Sequence, residues 1–240
     1  MRLDVACANL GLLESRNKIK EAIKNGLILV NNKVCTKASL NVELGDEISI
    51  KDTKHFVSRA ANKLDLFLDS CDIDVRDLVV LDIGSSTGGF SQVLLQRGVR
   101  LIHCVDVGSN QLHKSIKEDT RVVCYENTDI REFEASIKSY SMIVCDVSFI
   151  SVFQILHKIE ELLDGIFILL FKPQFEVGKD VRRNKKGVVL DREKIMLSLE
   201  NIRETLQNRG FEMLKIEESK LKGKEGNEEF FIATRRYKVS

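Results

Sequence analysis

The first fifty residues carry two helical apolar patterns, followed by a set of short extended ones. Ser15 precedes the second helical pattern as a cap, and Asn25-Gly26 follows it as a stop signal. Beyond it, two strands are predicted around a turn at Asn31-Asn32, and a third after Gly45-Asp46. We therefore expect a small α+β domain over residues 1–52. The apolar residues of the two helical patterns are Ala6, Leu10, Leu12, Leu13, Ile19, Ala22 and Ile23.

From Leu78 to the end of the chain, apolar runs typical of buried strands alternate with amphipathic helical patterns. This order predicts a mostly parallel sheet with helices on both faces, in a Rossmann-like α/β domain over residues 61–240. A polar and basic linker at residues 53–60 leads into its first helix, which is predicted at residues 58–70. The predicted strands span residues 79–84, 100–108, 121–127, 141–149, 166–175, 211–219 and 228–237. The further helices are predicted at residues 88–98, 111–119, 131–140, 151–165 and 192–210.

Composition narrows the classes of protein that fit this pattern. The chain of 240 residues has 43% hydrophobic and 30% charged residues and a formal net charge of +1, which is ordinary for a soluble globular protein. The N-terminus lacks the apolar core of a signal peptide, and the run Ile166–Phe171 is far shorter than the roughly 20 residues that span a bilayer. The six cysteines show no C-x-x-C spacing, which argues against a zinc or redox site. We expect a cytoplasmic protein with free thiols, no bound metal and no membrane partner.

The segment Val79–Phe90 predicts a strand that runs into a glycine-rich loop and then directly into a helix. Glycines let the backbone approach a ligand closely, and the N-terminus of the helix can face that ligand. The spacing G-x-x-x-G-G fits neither the dinucleotide fingerprint nor a P-loop, although such a loop by itself is compatible with a nucleotide, a dinucleotide or a tight turn. The residues predicted to contact a cofactor here are Asp82, Gly84, Ser85, Ser86, Thr87, Gly88, Gly89 and Phe90.

Polar residues also end the next three predicted strands. Asp106 and Val107 lie about 20 residues beyond the glycine loop, where a carboxylate can accept both ribose hydroxyls of an adenosyl ligand. Asn127 and Asp129 follow the third strand, where adenine contacts are expected, and Asp146 ends the fourth strand. A single Asp at a strand end is more often a helix cap, but this series fits S-adenosylmethionine better than a dinucleotide. The sequence therefore predicts a methyltransferase sheet with S-adenosylmethionine as its cofactor.

Four charged residues are predicted to meet at the same edge of the sheet, and these are Lys63, Asp146, Lys172 and Glu229. Glu229 reaches this edge if the last strand runs antiparallel to its neighbours. Lys172 follows six apolar residues and, taken alone, is best explained as a lysine that snorkels to the surface. Two lysines and two carboxylates beside a methyl donor indicate a catalytic role instead. A hydroxyl acceptor needs a base to take its proton, or a cation to stabilise its developing alkoxide. A partly desolvated lysine near another cation can meet this need.

Basic residues concentrate in two stretches of the chain. Residues 1–40 hold seven basic and three acidic side chains, and residues 172–192 also hold seven and three. A solvated helix face explains the first stretch as well as RNA binding does, and a mobile solvated loop is the alternative for the second. The position of the second stretch directly after Lys172 favours contact with an RNA backbone. The residues predicted to contact RNA are Arg2, Arg16, Lys18, Lys20, Lys24, Lys33, Lys37, Arg59, Arg182, Arg183, Lys185 and Lys186.

Two segments near the N-terminus strengthen the RNA interpretation. RLDVACANLGL begins at Arg2, and SRNKIKEAIKNGLILVN begins at Ser15. Together they closely resemble the RNA-binding module first described in ribosomal protein S-four and found in pseudouridine synthases. The resemblance implies that the basic helix and the turn near Asn31 to Lys33 contact phosphates of structured RNA, recognising shape more than sequence.

The remaining motifs are VSRAANKL, DIGSSTGGFSQVLLQRG, VDVGSNQL, DVSFIS, KPQFE, GVVLD and GNEEF. The Lys-Asp-Lys-Glu order resembles that of the FtsJ-type ribose 2′-O-methyltransferases, and nearly the whole chain resembles the TlyA (haemolysin A) family of bacterial rRNA methyltransferases. The resemblance implies that the four charged residues form a catalytic tetrad. It also implies methylation of a cytidine 2′-hydroxyl in ribosomal RNA of assembled particles. Shorter members of the family tend to modify only the large-subunit RNA, so the resemblance favours 23S RNA as the target of this short chain. It implies no DNA partner.

The chain departs from the family pattern in two places. Asp129 stands where the family more often has Asn, and the linker region has His55-Phe56 in a chain without tryptophan. Two other classes of protein remain as alternatives: a membrane-active haemolysin, and a noncatalytic RNA-binding factor of ribosome assembly. The absence of a spanning segment argues against the first, and the intact Lys-Asp-Lys-Glu set argues against the second.

Overall fold

The computed structural model describes residues 1–13, 15–24, 26–43, 45–50 and 56–238. The chain divides into two compact units, Met1–His55 and Phe56–Ser240. Asn25 and the first part of the predicted linker, residues 53–55, lie outside the described residues. The predicted linker and the predicted helix over residues 58–70 overlapped, and Arg59 and Ala60 belong to the helix.

The N-terminal unit contains two short helices and a three-stranded antiparallel sheet. Its elements are α1 (Leu3–Asn9), α2 (Arg16–Lys24), β1 (Ile28–Val30), β2 (Lys33–Cys35) and β3 (Ile48–Ile50). β1 lies between β2 and β3. Asn31 and Asn32 connect β1 to β2 with φ of 52° and 62°, as a two-residue hairpin turn requires, which confirms the predicted turn. Ser15 Oγ accepts a hydrogen bond from the Lys18 amide at 3.3 Å, which confirms the predicted cap of α2.

The second unit is built on a seven-stranded sheet of order β6-β5-β4-β7-β8-β10-β9. The first five strands in this order are parallel, and β10 is antiparallel to both β8 and β9. The start of β10 therefore lies at the edge where the parallel strands end, as Phe230 opposite Phe171 shows. The strands are β4 (Val79–Ile83), β5 (Leu101–Val105), β6 (Val122–Tyr125), β7 (Tyr140–Cys145), β8 (Leu163–Phe171), β9 (Glu212–Glu218) and β10 (Phe230–Arg236).

Helices cover both faces of this sheet, because its strands present apolar side chains to both sides. The helices are α3 (Arg59–Leu68), α4 (Gly89–Gln96), α5 (Lys114–Lys117), α6 (Leu156–Leu162) and α7 (Arg192–Asn208). On one face, α3, α4 and α5 pack against a core that includes Val80, Val144 and Phe231. On the other face, α6 and α7 pack against a core that includes Leu81 and Ile143. The predicted Rossmann-like class is thereby confirmed.

Several of the predicted elements are wrong in whole or in part, and three of them illustrate why. Residues 131–140 were expected to form a helix, but only one 3-10 turn, Ile130–Glu132, forms there. The segment instead buries Phe133 against the ring of Tyr125, and this packing overrides the helical propensity. The helix expected over 151–165 ends at Leu162, because the following residues join β8. That strand ends at Phe171, and Pro173–Phe175 turns away as a 3-10 turn.

Candidate active site

The glycine loop between β4 and α4 lies at the carboxyl edge of the sheet, next to the loop that follows β7. At Gly84, φ is +77°, and a Cβ atom would lie 3.0 Å from the carbonyl oxygen of Asp146. At Gly89, a Cβ atom would lie 2.1 Å from Ser58 Oγ, on the segment that leads into α3. Both positions therefore depend on the absence of a side chain, and a larger residue would push apart the segments that surround the loop.

Asp82 forms the floor of a small cavity of about 100 Å³ inside this loop. Its side chain is fully buried, and Oδ2 accepts a hydrogen bond from Ser91 Oγ at 2.6 Å. Oδ1 has no hydrogen-bond partner among the described residues. Burial raises the pKa of Asp82 to about 7, against the lowering effect of the Ser91 hydrogen bond, and the charge of Asp146 raises it further. The cavity thus contains a buried carboxyl oxygen whose hydrogen-bonding capacity is unused.

A larger cleft of about 510 Å³ adjoins the loop and extends over the ends of β5 and β6. Asp106 lies in its wall, where Oδ2 accepts the Ser86 amide at 2.8 Å and Oδ1 accepts the Gly108 amide at 2.7 Å. Each carboxylate oxygen has two lone pairs, so the fixed side chain can still accept further hydrogen bonds. Val107 lines the same cleft with 71% of its surface exposed, and Ile130 provides a second apolar wall. The cleft combines hydrogen-bond acceptors with an apolar slot.

The predicted cofactor residues reach these two cavities unequally. Gly84, Ser85, Ser86, Thr87, Gly89 and Phe90 line one or both of them, as do Asp106, Val107, Asp129 and Asp146. Asn127 is not among the residues that line the larger cleft; its backbone has φ of 52°, and its backbone amide donates to the Gly108 carbonyl at 3.0 Å. Thr128 lies in the cleft instead. Gly88 likewise lines neither cavity and ends the loop as the residue before α4.

Other cleft residues were missed by the sequence prediction. Arg131 lies in the wall of the larger cleft and binds the carboxylate of Asp129 through Nε at 3.0 Å and Nη2 at 2.5 Å. This pairing lowers the pKa of Asp129. Gln111 belongs to the motif VDVGSNQL but was not predicted as a site residue; it lines the cleft, and its side-chain oxygen accepts a hydrogen bond from Ser86 Oγ at 3.0 Å. Residues 147–150 complete the wall of the cleft. Their position directly after β7 could have predicted this, because ligands bind beyond the carboxyl ends of parallel strands.

The four charged residues predicted at this edge are brought together as two ion pairs. Lys63 Nζ lies 2.6 Å from Glu229 Oε2, and Lys172 Nζ lies 2.7 Å from Asp146 Oδ1. Lys172 also donates to Ser148 Oγ at 2.8 Å. Burial raises the pKa of Asp146, and the negative charge of Glu229 raises it further. The positive charges of Lys172 and Lys63 lower this pKa. Because all three neighbours act on Asp146, the two pairs form a single electrostatic cluster.

Glu176 connects the loops that follow β7 and β8. Its carboxylate accepts Ser151 Oγ at 2.7 Å and the Val152 amide at 2.9 Å, and burial raises its pKa. Phe149, in the first of these loops, has φ of 66° and is 92% exposed, with its ring centroid 5.2 Å from that of Phe175. Phe149 follows Ser148, which accepts a hydrogen bond from Lys172. Its exposed ring is available for stacking with a planar ligand.

The predicted RNA-binding residues differ in how available their charges are. All seven in the N-terminal unit are exposed, although Arg2 pairs with Asp4 at 2.9 Å. Arg59, Arg182, Lys185 and Lys186 are exposed in the second unit. Arg183 is half-buried, and its guanidinium donates to four backbone carbonyls, those of Gln174, Gly178, Lys179 and Val181. Arg183 therefore fixes the shape of the loop that carries the other basic residues.

The described residues contain neither a metal centre nor a membrane span. No group of three or more His, Cys, Asp or Glu side chains in this part of the chain is arranged to hold a metal ion. Within the same residues, no helix is both long and apolar enough to cross a bilayer.

A sheet of this order, a glycine loop at its carboxyl edge and a lysine–carboxylate cluster beside that loop define a Rossmann-like methyltransferase. Comparison with known proteins agrees with this class. Residues 56–236 match the family of FtsJ-like methyltransferases, and residues 1–48 match the S4 domain. The chain belongs to the FtsJ-like methyltransferases and, within them, to the TlyA (haemolysin A) family.

Three known proteins illustrate this membership. The 23S rRNA (cytidine-2′-O)-methyltransferase TlyA of Campylobacter jejuni is 40% identical over 236 residues, covering 90% of this chain and 92% of the relative. The 16S/23S rRNA (cytidine-2′-O)-methyltransferase TlyA of Mycobacterium tuberculosis is 33% identical over 237 residues, covering 96% and 88%. A solved structure of a candidate haemolysin from Streptococcus thermophilus is 33% identical, with a TM-score of 0.73, and covers 100% of this chain and 89% of that one.

Proposed function

We propose that this protein transfers the methyl group of S-adenosylmethionine to the 2′-hydroxyl of a cytidine in large-subunit (23S) ribosomal RNA. The observation that carries the proposal is the cluster of Lys63, Glu229, Lys172 and Asp146 beside the glycine-loop cavity. A hydroxyl is a weak nucleophile at neutral pH, and a cluster of ammonium and carboxylate groups supplies what such an acceptor lacks.

The two cavities fit the cofactor at both of its ends. The unpaired Oδ1 of Asp82 suits the ammonium of the methionine part, since it is a buried acceptor with no donor among the described residues. Asp106 suits the ribose hydroxyls, and the slot between Val107 and Ile130 suits the adenine ring. Asp146 lines both cavities and also pairs with Lys172, so the methyl donor and the charged cluster share a wall.

The chain's own residues would activate the acceptor hydroxyl. When bound, S-adenosylmethionine supplies an electrophilic methyl group. One of the two lysines, as the neutral amine, takes the proton of the 2′-hydroxyl, and the ammonium group of the other stabilises the negative charge that develops on the attacking 2′-oxygen. Asp146 and Glu229 hold these amines at fixed positions, which removes the cost of orienting them during the reaction. Transfer would form the bond between the 2′-oxygen and the methyl carbon as the bond between the sulfur and that carbon breaks.

RNA as the substrate is supported by the charge on both units. The seven exposed basic residues of the N-terminal unit suit the phosphates of a folded RNA, and Phe149 suits the face of a target base. The choice of 23S RNA rests on the higher identity to the relative that is named for that RNA alone, 40% against 33%. Ribosomal particles as the substrate imply that the protein acts in the cytoplasm.

Transfer of a labelled methyl group to separated ribosomal subunits tests the proposal. We expect label in 50S subunits or in their 23S RNA, little label in 30S subunits, and loss of at least about a hundredfold in rate for Lys172→Ala. Lys138→Ala, an exposed lysine at the opposite edge of the sheet, is the matched control and should transfer at the wild-type rate. Absence of transfer to either subunit and to 70S particles by the wild-type protein would contradict the proposed function. Full activity of Lys172→Ala would contradict the catalytic assignment alone.

A further inference from the structure

The loop between β9 and β10, residues 219–227, carries a regular row of lysines. Its sequence is SKLKGKEGN, and burial alternates along it. Ser219 and Gly223 are buried and Leu221 is half-buried, whereas Lys220, Lys222 and Lys224 are all exposed. The row does not follow an extended strand, because the backbone bends at Lys220 and Leu221 and turns at Lys224 and Glu225. All three lysine side chains are nevertheless exposed to solvent on this loop.

The loop is held in place by hydrogen bonds at both ends and in its middle. The Ser219 amide donates to the Glu229 carbonyl at 2.8 Å, and the Gly223 amide donates to the Asn227 carbonyl at 2.9 Å. Asn227 is buried, and its Oδ1 accepts the Val189 amide at 3.0 Å. Arg59 Nη2 donates to the Lys222 carbonyl at 2.9 Å. The lysine row is thus presented by a fixed backbone.

This loop lies directly against the catalytic cluster. A Cβ atom at Gly223 would lie 2.6 Å from Glu229 Oε1, so the backbone of the loop closes over the carboxylate that holds Lys63. Arg59 lies four residues before Lys63 on α3, which is about one helical turn. The lysines therefore border the site on the Lys63–Glu229 side. The basic loop that follows Lys172 lies instead on the side of the Lys172–Asp146 ion pair.

Ion pairs within the described residues do not neutralise the charges of the row, although Lys220 lies near enough to Glu217 to help lower the pKa of that carboxyl. None of the three lysines forms an ion pair with another described residue. Glu225 is the acidic residue within the loop, and Glu228, directly after it, pairs with Arg192 at 3.4 Å. Holding three like charges close together costs free energy through repulsion, and a polyanion would relieve that cost.

We infer that Lys220, Lys222 and Lys224 bind the phosphate backbone of the RNA strand that carries the target ribose. A nucleic-acid strand carries one charge per about 3.4 Å of helix axis, which puts several phosphates within reach of the row. The inference rests on the proposed function for the identity of the RNA, and it adds a second contact on the Lys63–Glu229 side of the acceptor hydroxyl.

The triple variant Lys220→Gln/Lys222→Gln/Lys224→Gln tests this inference. Binding to protein-free 23S RNA is measured between 50 and 300 mM salt, together with methyl transfer to 50S subunits. Each lost phosphate contact lowers the slope of log K against log salt by about 0.7 to 0.9, so we expect a reduction of roughly 2 to 3. We also expect at least about a tenfold loss of RNA affinity at 150 mM salt, a matching rise in KM for 50S subunits, and unchanged S-adenosylmethionine affinity.

Two control variants make the result specific. Arg100→Gln/Lys138→Gln/Lys238→Gln removes three positive charges at the opposite edge of the sheet and should leave KM and the salt slope unchanged. Lys220→Arg/Lys222→Arg/Lys224→Arg keeps the charges of the row and should retain wild-type RNA affinity. Unchanged S-adenosylmethionine affinity in the glutamine variant shows that the site is still folded.

The outcomes separate this inference from the proposed function. Wild-type KM and salt slope in the glutamine variant, with an active wild-type protein, overturn the inference and leave the proposed function intact. Loss of affinity for 50S subunits but not for protein-free RNA also overturns it, since the partner of the row is then a ribosomal protein. A wild-type protein that transfers no methyl group, but whose RNA affinity still falls in the variant, supports the RNA contact and contradicts the proposed reaction.

Discussion

The buried ion pair between Lys63 and Glu229 allows stability and catalysis to be separated by mutation. The two side chains are 9% and 4% exposed, with Nζ and Oε2 2.6 Å apart. Removing one partner leaves the other buried without its counter-charge, which costs about 3–5 kcal/mol. We expect Glu229→Ala to lower the free energy of unfolding of the methyltransferase unit by this amount. For a domain of this size the Tm would fall by about 6–20 °C.

The paired replacement Lys63→Met/Glu229→Met removes both charges at once. Apolar side chains of similar volume often stabilise a buried site as well as the ion pair they replace, so we expect a free energy of unfolding within about 1 kcal/mol of wild type. Methyl transfer should nevertheless be lost, because the ammonium group proposed to stabilise the attacking oxygen is gone. A stable but inactive double variant would mean that the pair is retained for chemistry.

Urea unfolding followed by circular dichroism measures the stability of these variants, and labelled methyl transfer to 50S subunits measures their activity. Glu118→Ala is the control for stability, because the Lys114–Glu118 pair is 83% and 65% exposed and should contribute less than about 0.5 kcal/mol. An unchanged urea midpoint for Glu229→Ala would refute the burial argument, since water would then be screening the pair. Full activity in the double methionine variant would remove both residues from the proposed mechanism.

Three further predictions concern other parts of the site. Because burial raises the pKa of Asp82 to about 7, its charged form is lost as the pH falls from about 8 to about 6, and affinity for S-adenosylmethionine should fall with it. Calorimetry at about pH 6 should detect proton release on binding that is absent in Asp82→Asn. Glu176→Ala leaves the Val152 amide without its acceptor, and we expect kcat to fall about 10- to 100-fold while S-adenosylmethionine affinity changes little; an unchanged kcat would argue against a positioning role. Phe149→Ala should raise KM for 50S subunits about 5- to 100-fold, as the loss of one base-stacking contact predicts, with no change in Tm because the ring is 92% exposed.

The meeting of the charged residues at one edge of the sheet could be predicted from the sequence, because two of them directly follow predicted strands. Asp146 and Lys172 each follow an apolar run, and parallel strands end at the same edge of a sheet, so their meeting follows from the alternation of elements alone. Glu229 needed one more assumption, that the last strand runs antiparallel, and the pairing of Phe230 with Phe171 bears this out. Lys63 lies before the first strand and reaches the edge through packing of α3, which periodicity does not specify.

The remaining site residues could not be predicted because they depend on contacts between loops. Glu176 contacts Ser151 and Val152, which are more than twenty residues away, and no local pattern connects them. The segment around Phe133 has the charged and small residues of a helix, but its apolar side chains pack beside the sheet and hold it in a nonhelical path. Asn127 has a positive φ and is not among the residues that line the cleft, although its place after β6 suggested that it would be.

The distribution of charge around the site explains how two ligands of opposite charge can occupy adjacent positions. The carboxyl groups of Asp82, Asp106 and Asp146 line the cofactor cavities, where a cationic methyl donor is expected, whereas Lys172 and the lysine row of residues 219–227 border the side that we propose faces the RNA. Methyl transfer removes the sulfonium charge from the cofactor, so the attraction of the carboxyl groups for the product is weaker than for the donor. Transfer also leaves the RNA phosphates unchanged, so contacts with the backbone do not themselves favour release of the modified RNA. The structure therefore implies that the spent cofactor loses affinity as a direct result of the chemistry, whereas the release of the RNA depends on the salt-sensitive contacts of the basic loops.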